Sequence, residues 1–165
     1  MSDPEFIHLR VHSDYSMMDG LNKIKPIIAK VKEMGMPAVA ITDQMNMCGL
    51  VKYYDQAHSN GVKPIIGADF WVQSEELGEE IFRLTLLAMN NDGYKNITLL
   101  ISKAYLRGHV QHKAVIDKDW LIEHNQGIIA LSGGLSGDLG QILTNGNISV
   151  AADIAGIENS DNGVG

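Results

Sequence analysis

This sequence predicts an α/β fold in which parallel strands alternate with helices, on three observations. Short apolar runs such as AVAITD and IIALSG read as buried strands, helix-period stretches such as NKIKPIIAKVKEMG stand between them, and glycines punctuate the ends of those stretches. Repeated strand and helix pairs call for a parallel sheet, because the helix supplies the crossover between strands.

The elements follow in order. EFIHLRVH places Ile7, Leu9 and Val11 on one face and His8, Arg10 and His12 on the other, the period of a half-buried strand. After the turn-rich SDYSMMDG, a helix is predicted with Asn22 as its cap, Pro26 near its first turn and Gly35 as its left-handed stop. Ile24, Ile27, Ile28, Val31 and Met34 recur along it at helical spacing. AVAITD is a short buried strand ending in Thr42 and Asp43. A second helix runs from about Gly49 to Ser59 and closes at Asn60 and Gly61, ahead of the strand KPIIGADFWVQ. FRLTLLAMN is the next strand, followed by a helix from about Tyr94 to Arg107 with Asp92 as its cap and Gly108 as its stop. DKDWLIEHNQG gives a shorter helix, IIALSG a fifth strand, and SGDLGQILTNGN a weak helical signal. From 145 to 165, polar residues and glycines mix with scattered aliphatics, and this stretch reads as a disordered tail. Five strands in 165 residues suit an open sheet or an incomplete barrel, and periodicity does not choose between them.

Composition narrows the function. The chain is 45% hydrophobic and 20% charged, the mixture of a globular domain. No apolar run reaches the roughly 18 residues of a membrane span, and MSDPEFIHLR lacks the layout of a secretory signal, so a cytoplasmic location is expected, with no membrane partner. A single cysteine, Cys48, builds neither a disulfide framework nor a thiolate cage, and is read as a small buried hydrophobe. The net charge of −7 disfavours direct contact with a phosphate backbone.

In parallel α/β folds, ligands sit at the carboxyl ends of strands. The residues to weigh there are His12 with Asp14 and Asp19 downstream, Asp43, Asp69, and Ser132 with Gly133 and Gly134. Imidazole and carboxylate together suit zinc, manganese or iron, although an Asp at a strand end is more often a turn or helix cap. The glycine-rich LSGGLSGDLG matches no phosphate-loop pattern and reads as a tight turn with Ser136 capping a helix. His58, His109, His112 and His124 lack partners at metal spacing and are taken as surface residues, and Trp71 and Trp120 as core or interface anchors.

Five blocks carry a resemblance: HLRVHSDYSMMDG, GMPAVAITDQMNMCGLVKYY, GVKPIIGADFWV, LTLLAMNNDGYKNITLLISKAY and GIIALSGGLSGDLG. In this order and spacing they resemble the PHP (polymerase and histidinol phosphatase) family, in particular the domain that opens the α subunits of bacterial DNA polymerase III in gammaproteobacteria. The resemblance implies a TIM-like (βα)7 barrel with a metal cluster at its mouth. Residues 1–144 would form the amino-terminal portion of that PHP domain, an incomplete barrel, with 145–165 unmatched.

The resemblance also implies a ligand set that is degraded here. Metal-competent members open with H-x-H, where this chain has Arg10 and His12, and a guanidinium has no lone pair to offer a cation. The family's T-D-H appears as Thr42, Asp43 and Gln44, a glutamate ligand is shortened to Asp69, and Arg83 replaces a further histidine. Only His12, Asp19 and Asp69 keep ligand chemistry, as a vestigial set. No cofactor is expected in this chain, whereas zinc or manganese serves metal-competent relatives and magnesium the parent polymerase, a nucleotidyltransferase.

What the resemblance then implies is a structural module of a DNA-directed DNA polymerase in DNA replication. It would dock the proofreading exonuclease among the holoenzyme subunits and reach DNA only through the parent. Tyr53, Tyr54 and Tyr105 are the candidate contacts. Two other readings are a metal-dependent PHP-type phosphoesterase, which would need the intact H-x-H and T-D-H, and a truncated product without function of its own.

Overall fold

The computed structural model describes residues 6–17, 19–73, 80–110 and 112–146. The tail predicted from 145 onward therefore falls, from 147, outside the described residues. The regular elements are α1 (Ile24–Glu33), β1 (Ala38–Ile41), α2 (Leu50–Ser59), β2 (Lys63–Gln73), β3 (Ile81–Ala88), α3 (Asn91–Arg107), β4 (His109–Val110), β5 (Lys113–Ala114), β6 (Ile116–Asp117), α4 (Lys118–Glu123), β7 (Ile128–Ser132) and α5 (Asp138–Thr144).

Strand β2 is the spine. Its first four residues pair in parallel with β1, Ala38 to Ile41 against Lys63 to Ile66. From Gly67 to Gln73 it pairs antiparallel with β3, and β3 pairs antiparallel with β7. Val72 and Gln73 also pair in parallel with β6, so β6 occupies the edge of β2 opposite β3. The order β1-β2-β3-β7 leaves the sheet unclosed among the described residues, an α/β architecture that corresponds to an incomplete barrel.

The all-parallel sheet predicted from the sequence is corrected here. Strand β2 ends at Gln73 and β3 begins at Ile81, and the seven residues between them are too few to carry the chain back for a parallel pairing, which needs a dozen or more. The predicted first strand is corrected as well. Its backbone lies beside β1, with Ala40 N–H donating to the His8 carbonyl and Thr42 N–H to that of Val11, each at 2.8 Å. The two-residue step from Ala40 to Thr42, just past the end of β1, thus spans three residues from His8 to Val11, and the extra residue breaks the alternation, as in a bulge. Leu9, expected inside with Ile7 and Val11, is 41% exposed.

Two apolar layers hold the sheet. Ala68, Phe70 and Val72 on one face of β2 meet Leu86 of β3, Ile97, Leu100 and Ala104 of α3, and Ile116 of β6. Helices α1 and α2 pack Ile24, Ile28, Val31, Tyr53 and Ala57 against Val39 and Ile41. Each fully buried side chain of this size contributes about 1.5–3 kcal/mol, so these layers outweigh any single polar contact and can carry a polar face elsewhere on the sheet. Tyr53 also ties the layers to the sheet: its hydroxyl donates to the Val39 carbonyl and accepts from Ile65 N–H at 3.2 Å, bridging β1 and β2. Burial without an ionic partner pushes its phenol well above the usual range.

The helix ends separate good from mistaken sequence signals. Gly35 and Gly61 both adopt the left-handed conformation, with φ of 71° and 72°, as the stops required. Asn22 does not cap α1. The cap position is Lys23, without a side-chain bond, and the Asn22 carbonyl instead accepts from Asp14 N–H at 2.8 Å. For α3 the cap is Asn90, whose Oδ1 accepts from the amides of Asp92 and Gly93 at 3.0 Å each, and Asp92 sits in the first turn. Ser136 is no cap either, since Gly137 precedes α5 without a side-chain bond, although the tight turn is present at Gly134–Ser136. The β4–β5 pair, two residues to a strand, is too short to leave a periodic mark in the sequence.

Replacing Asn90 by Ala orphans two amides at the start of the longest helix, and should lower unfolding free energy by about 1 kcal/mol in urea titration, with Ser restoring most of it. Equal stability of Asn90→Ala and the parent chain would show that the cap is energetically idle.

Candidate functional site

Alternation along β2 places Asp69 and Trp71 on the face away from Phe70 and Val72. Asp69 is buried with 1% of its side chain accessible, a costly position for a carboxylate unless it is paired. Its Oδ2 accepts from Arg10 Nε at 2.7 Å, lies 2.6 Å from a second Arg10 nitrogen, and meets His12 Nε2 at 2.8 Å. Its Oδ1 accepts from the hydroxyl of Thr85, the residue directly opposite on β3.

The network continues outward. His12 Nδ1 lies 2.9 Å from Asp19 Oδ1, and Arg83 reaches Asp19 Oδ2 at 3.4 Å. His12 therefore presents each ring nitrogen to a carboxylate, which calls for the doubly protonated imidazolium. Its pKa is accordingly raised: the hydrogen bond with Asp69 outweighs burial, with help from the charges of both aspartates. Burial pushes the Asp69 carboxyl up, but the hydrogen bonds from His12, Arg10 and Thr85 overcome it and hold it below the usual range. Asp19 is likewise lowered, burial being outweighed by a Ser16 hydrogen bond and by His12 and Arg83.

Arg83 also lies over the ring of Trp71, 4.5 Å from its centre, and the Lys113 ammonium approaches the same ring at 4.4 Å. Trp71 is thus an anchor for two cations as well as a partly buried packing residue.

The structure brings His12, Asp19, Asp69, Arg10 and Arg83 into one connected cluster. Gln44 borders it without joining the ion pairs: its Nε2 donates to the Asp69 carbonyl at 3.2 Å, and its Oε1 is buried without a hydrogen-bond partner. Asp43 plays the structural part, accepting from Ser13 N–H at 2.6 Å and Ser13 Oγ at 2.8 Å, which pins the loop after His12. Burial raises its pKa, opposed by those two bonds. Thr85 and Ser13 escaped the sequence reading; only the antiparallel register of β3 would have placed Thr85 against Asp69.

Three side-chain placements need correction or division. Cys48 is exposed instead of buried. Tyr53 is fully buried in the α1–α2 layer, its hydroxyl consumed by the backbone of β1 and β2, so it cannot contact a partner. Tyr54 and Tyr105 are 48% and 51% exposed. Tyr54 lines a groove of about 440 Å³ with Val51, Pro64, Met89 and Tyr94. His58 and His109 are at the surface, and His124 is half-buried with its Nε2 2.9 Å from Lys103 Nζ.

The PHP domain profile matches residues 8–157. The chain belongs to the PHP domain family. Over 147 residues, 89% of the chain, this PHP sequence is 68% identical to the DNA polymerase III subunit alpha of Vibrio cholerae serotype O1 and 60% identical to that of Escherichia coli K12. Each match spans only 13% of the relative's length. Among solved structures, an amidohydrolase from Chromobacterium violaceum aligns with a TM-score of 0.45 at 18% identity, covering 59% of this chain and 34% of that one. No helix of the described residues is long and apolar enough to cross a membrane.

The pKa directions give a pH dependence with a definite sign. His12, raised in the folded PHP chain, contributes stability that is complete below its unfolded value of about 6.5 and is lost as pH rises through its folded value. Asp19 and Asp69, both lowered, contribute stability above about 3.8 that is lost as pH falls through their folded values, while Asp43, raised, acts in the opposite sense there. The alkaline limb is the diagnostic one. Melting temperature should decline from pH 6.5 upward in the parent chain, and His12→Gln should flatten that decline; an unchanged slope in the variant would refute the assignment.

Proposed function

We propose that this chain is the amino-terminal PHP portion of a DNA polymerase III α subunit, and that it serves cytoplasmic DNA replication as a structural and docking module without metal catalysis. The family membership and the 68% identity over most of the chain support the parentage. The single observation that carries the loss of catalysis is Arg10 seated on Asp69.

The donor set does not fit a divalent cation. The guanidinium occupies the oxygen of Asp69 that faces His12, Thr85 takes the other oxygen, and the imidazolium of His12 has no lone pair left. Arg10, His12 and Arg83 bring three positive charges to two carboxylates, a balance that repels a cation. His12, Asp19 and Asp69 are therefore a vestigial ligand set, rewired into ion pairs that stiffen the sheet. Nucleotidyl transfer, its magnesium and the DNA contacts belong in this reading to the rest of the longer polypeptide.

Docking of the proofreading exonuclease is the retained role. Tyr54 and Tyr105 are its candidate contacts, joined at Tyr54 by the exposed Val51 and Met89 of the groove. Tyr105 lies eleven residues beyond Tyr94 on α3, about 16 Å along the axis, so an exonuclease that uses both must cover much of that helix.

Two measurements test the reading. Protein purified without chelator should contain zinc and manganese well below stoichiometric amounts and show no turnover of phosphate esters; near-stoichiometric metal, or a phosphatase activity abolished by His12→Ala, would establish the phosphoesterase reading instead. Titration of the exonuclease subunit against a full-length α subunit should show weaker binding when Tyr54 and Tyr105 are both Ala, by about tenfold or more. Unchanged affinity in a folded variant would remove these contacts.

A further inference from the structure

Helices α2 and α3 stand apart over the start of β2, and the groove between them has a floor of Pro64 and Ile66. Its walls are aromatic and aliphatic: Tyr54 from α2 faces the groove with Tyr94 from α3, and the strongly exposed Val51 and Met89 complete the rim. Among the described residues Asp55 is the one charged side chain that lines it, and its carboxylate forms no ion pair and no side-chain hydrogen bond there. No lysine, arginine or histidine reaches the lining. The amino terminus of α3 opens on the same groove, yet its dipole offers an anion little, because Asn90 Oδ1 already accepts from the amides of Asp92 and Gly93. The groove is therefore apolar and aromatic, with an unneutralised carboxylate at one side.

We propose that this groove takes an arginine or lysine side chain of the docking partner, presented among aliphatic neighbours on the segment that binds. The inference rests on the docking reading given above and adds the chemistry of that segment. Asp55 and the two tyrosines specify the cation: a guanidinium or ammonium is attracted by an aromatic face and by a carboxylate at once, while its methylene stem lies along the aliphatic wall. Val51, Ile66 and Met89 specify the aliphatic neighbours, which gain free energy by leaving water. Tyr54 is stacked on His58, one turn further along α2, with the rings 15° from parallel, and this restrains the ring before a partner arrives. An acidic or phosphate-bearing segment would instead meet Asp55 and a helix end whose amides are already capped.

The exonuclease subunit is titrated against the full-length α subunit carrying Asp55→Asn or Asp55→Lys, both at an exposed position of α2 and both checked for unchanged far-ultraviolet circular dichroism. Affinity should fall in that order, by about tenfold or more for Asp55→Lys, and the difference from the parent should shrink as salt is raised. Peroxide supplies a check that needs no variant: Met89, followed by mass spectrometry, should oxidise readily in the α subunit alone and slowly once the exonuclease is bound. Binding that is weakened when Tyr54 and Tyr105 are both Ala but unchanged in Asp55→Lys would overturn the basic anchor and leave the docking reading standing. Binding indifferent to all of these variants, or no binding, would remove both. A Met89 already shielded in the free α subunit would show that the rest of that polypeptide fills the groove, and would equally overturn the proposal.

Discussion

A carboxylate buried in the middle of the longest strand has to be neutralised, and the way Asp69 is neutralised organises this half of the molecule. An ionised side chain with 1% exposure would cost several kcal/mol if left alone. Arg10 and His12 come from a segment that forms no regular strand and is held beside β1 by backbone hydrogen bonds from Ala40 and Thr42. The same ion pairs that satisfy Asp69 therefore hold the amino-terminal segment in place, and the Ser13 bonds to Asp43 fix it a second time. Thr85 extends the constraint across the β2–β3 hairpin, and Asp19 and Arg83 close it on the outer side.

The arrangement depends on a division of labour between the two faces of β2. Phe70 and Val72 pack on α3 and supply the apolar free energy, while Asp69 and Trp71 carry the charged cluster on the other side. Because the register with β3 is antiparallel, Thr85 and Arg83 stand directly opposite Asp69 and Trp71, so one hairpin delivers four of the cluster's residues. A parallel neighbour joined through a helix would place them through a longer and less direct connection.

Much of this was legible in the sequence where local chemistry decides. The strand KPIIGADFWVQ and the helix closing at Asn60 and Gly61 are found where the pattern put them, because burial and a positive φ leave direct marks on residue type. The orientation of β3 was also written there, in a connection too short for a crossover, but the repeated strand and helix pattern on either side obscured it. The amino-terminal segment misled for a different reason: its alternation is real in sequence, yet one extra residue against β1 puts Leu9 outside. Arg10, Gln44 and Arg83 could be singled out only through the resemblance, since a lone Arg in a strand carries no signal of its own. Tyr53 and Tyr54 adjoin on one helix, and only the packing of α2 shows that one is core and the other surface.

Membership in the PHP family together with an arginine on the buried carboxylate gives the account its central claim: protein cations, in place of metal ions, balance Asp69. The most direct test is a double-mutant cycle for unfolding free energy using Arg10→Met and Asp69→Asn, measured at neutral pH with and without added zinc or manganese. A favourable coupling of about 1–3 kcal/mol that is indifferent to metal is the result this account requires. Additive effects of the two substitutions, or a parent chain that gains stability on adding metal through Asp69, would contradict it.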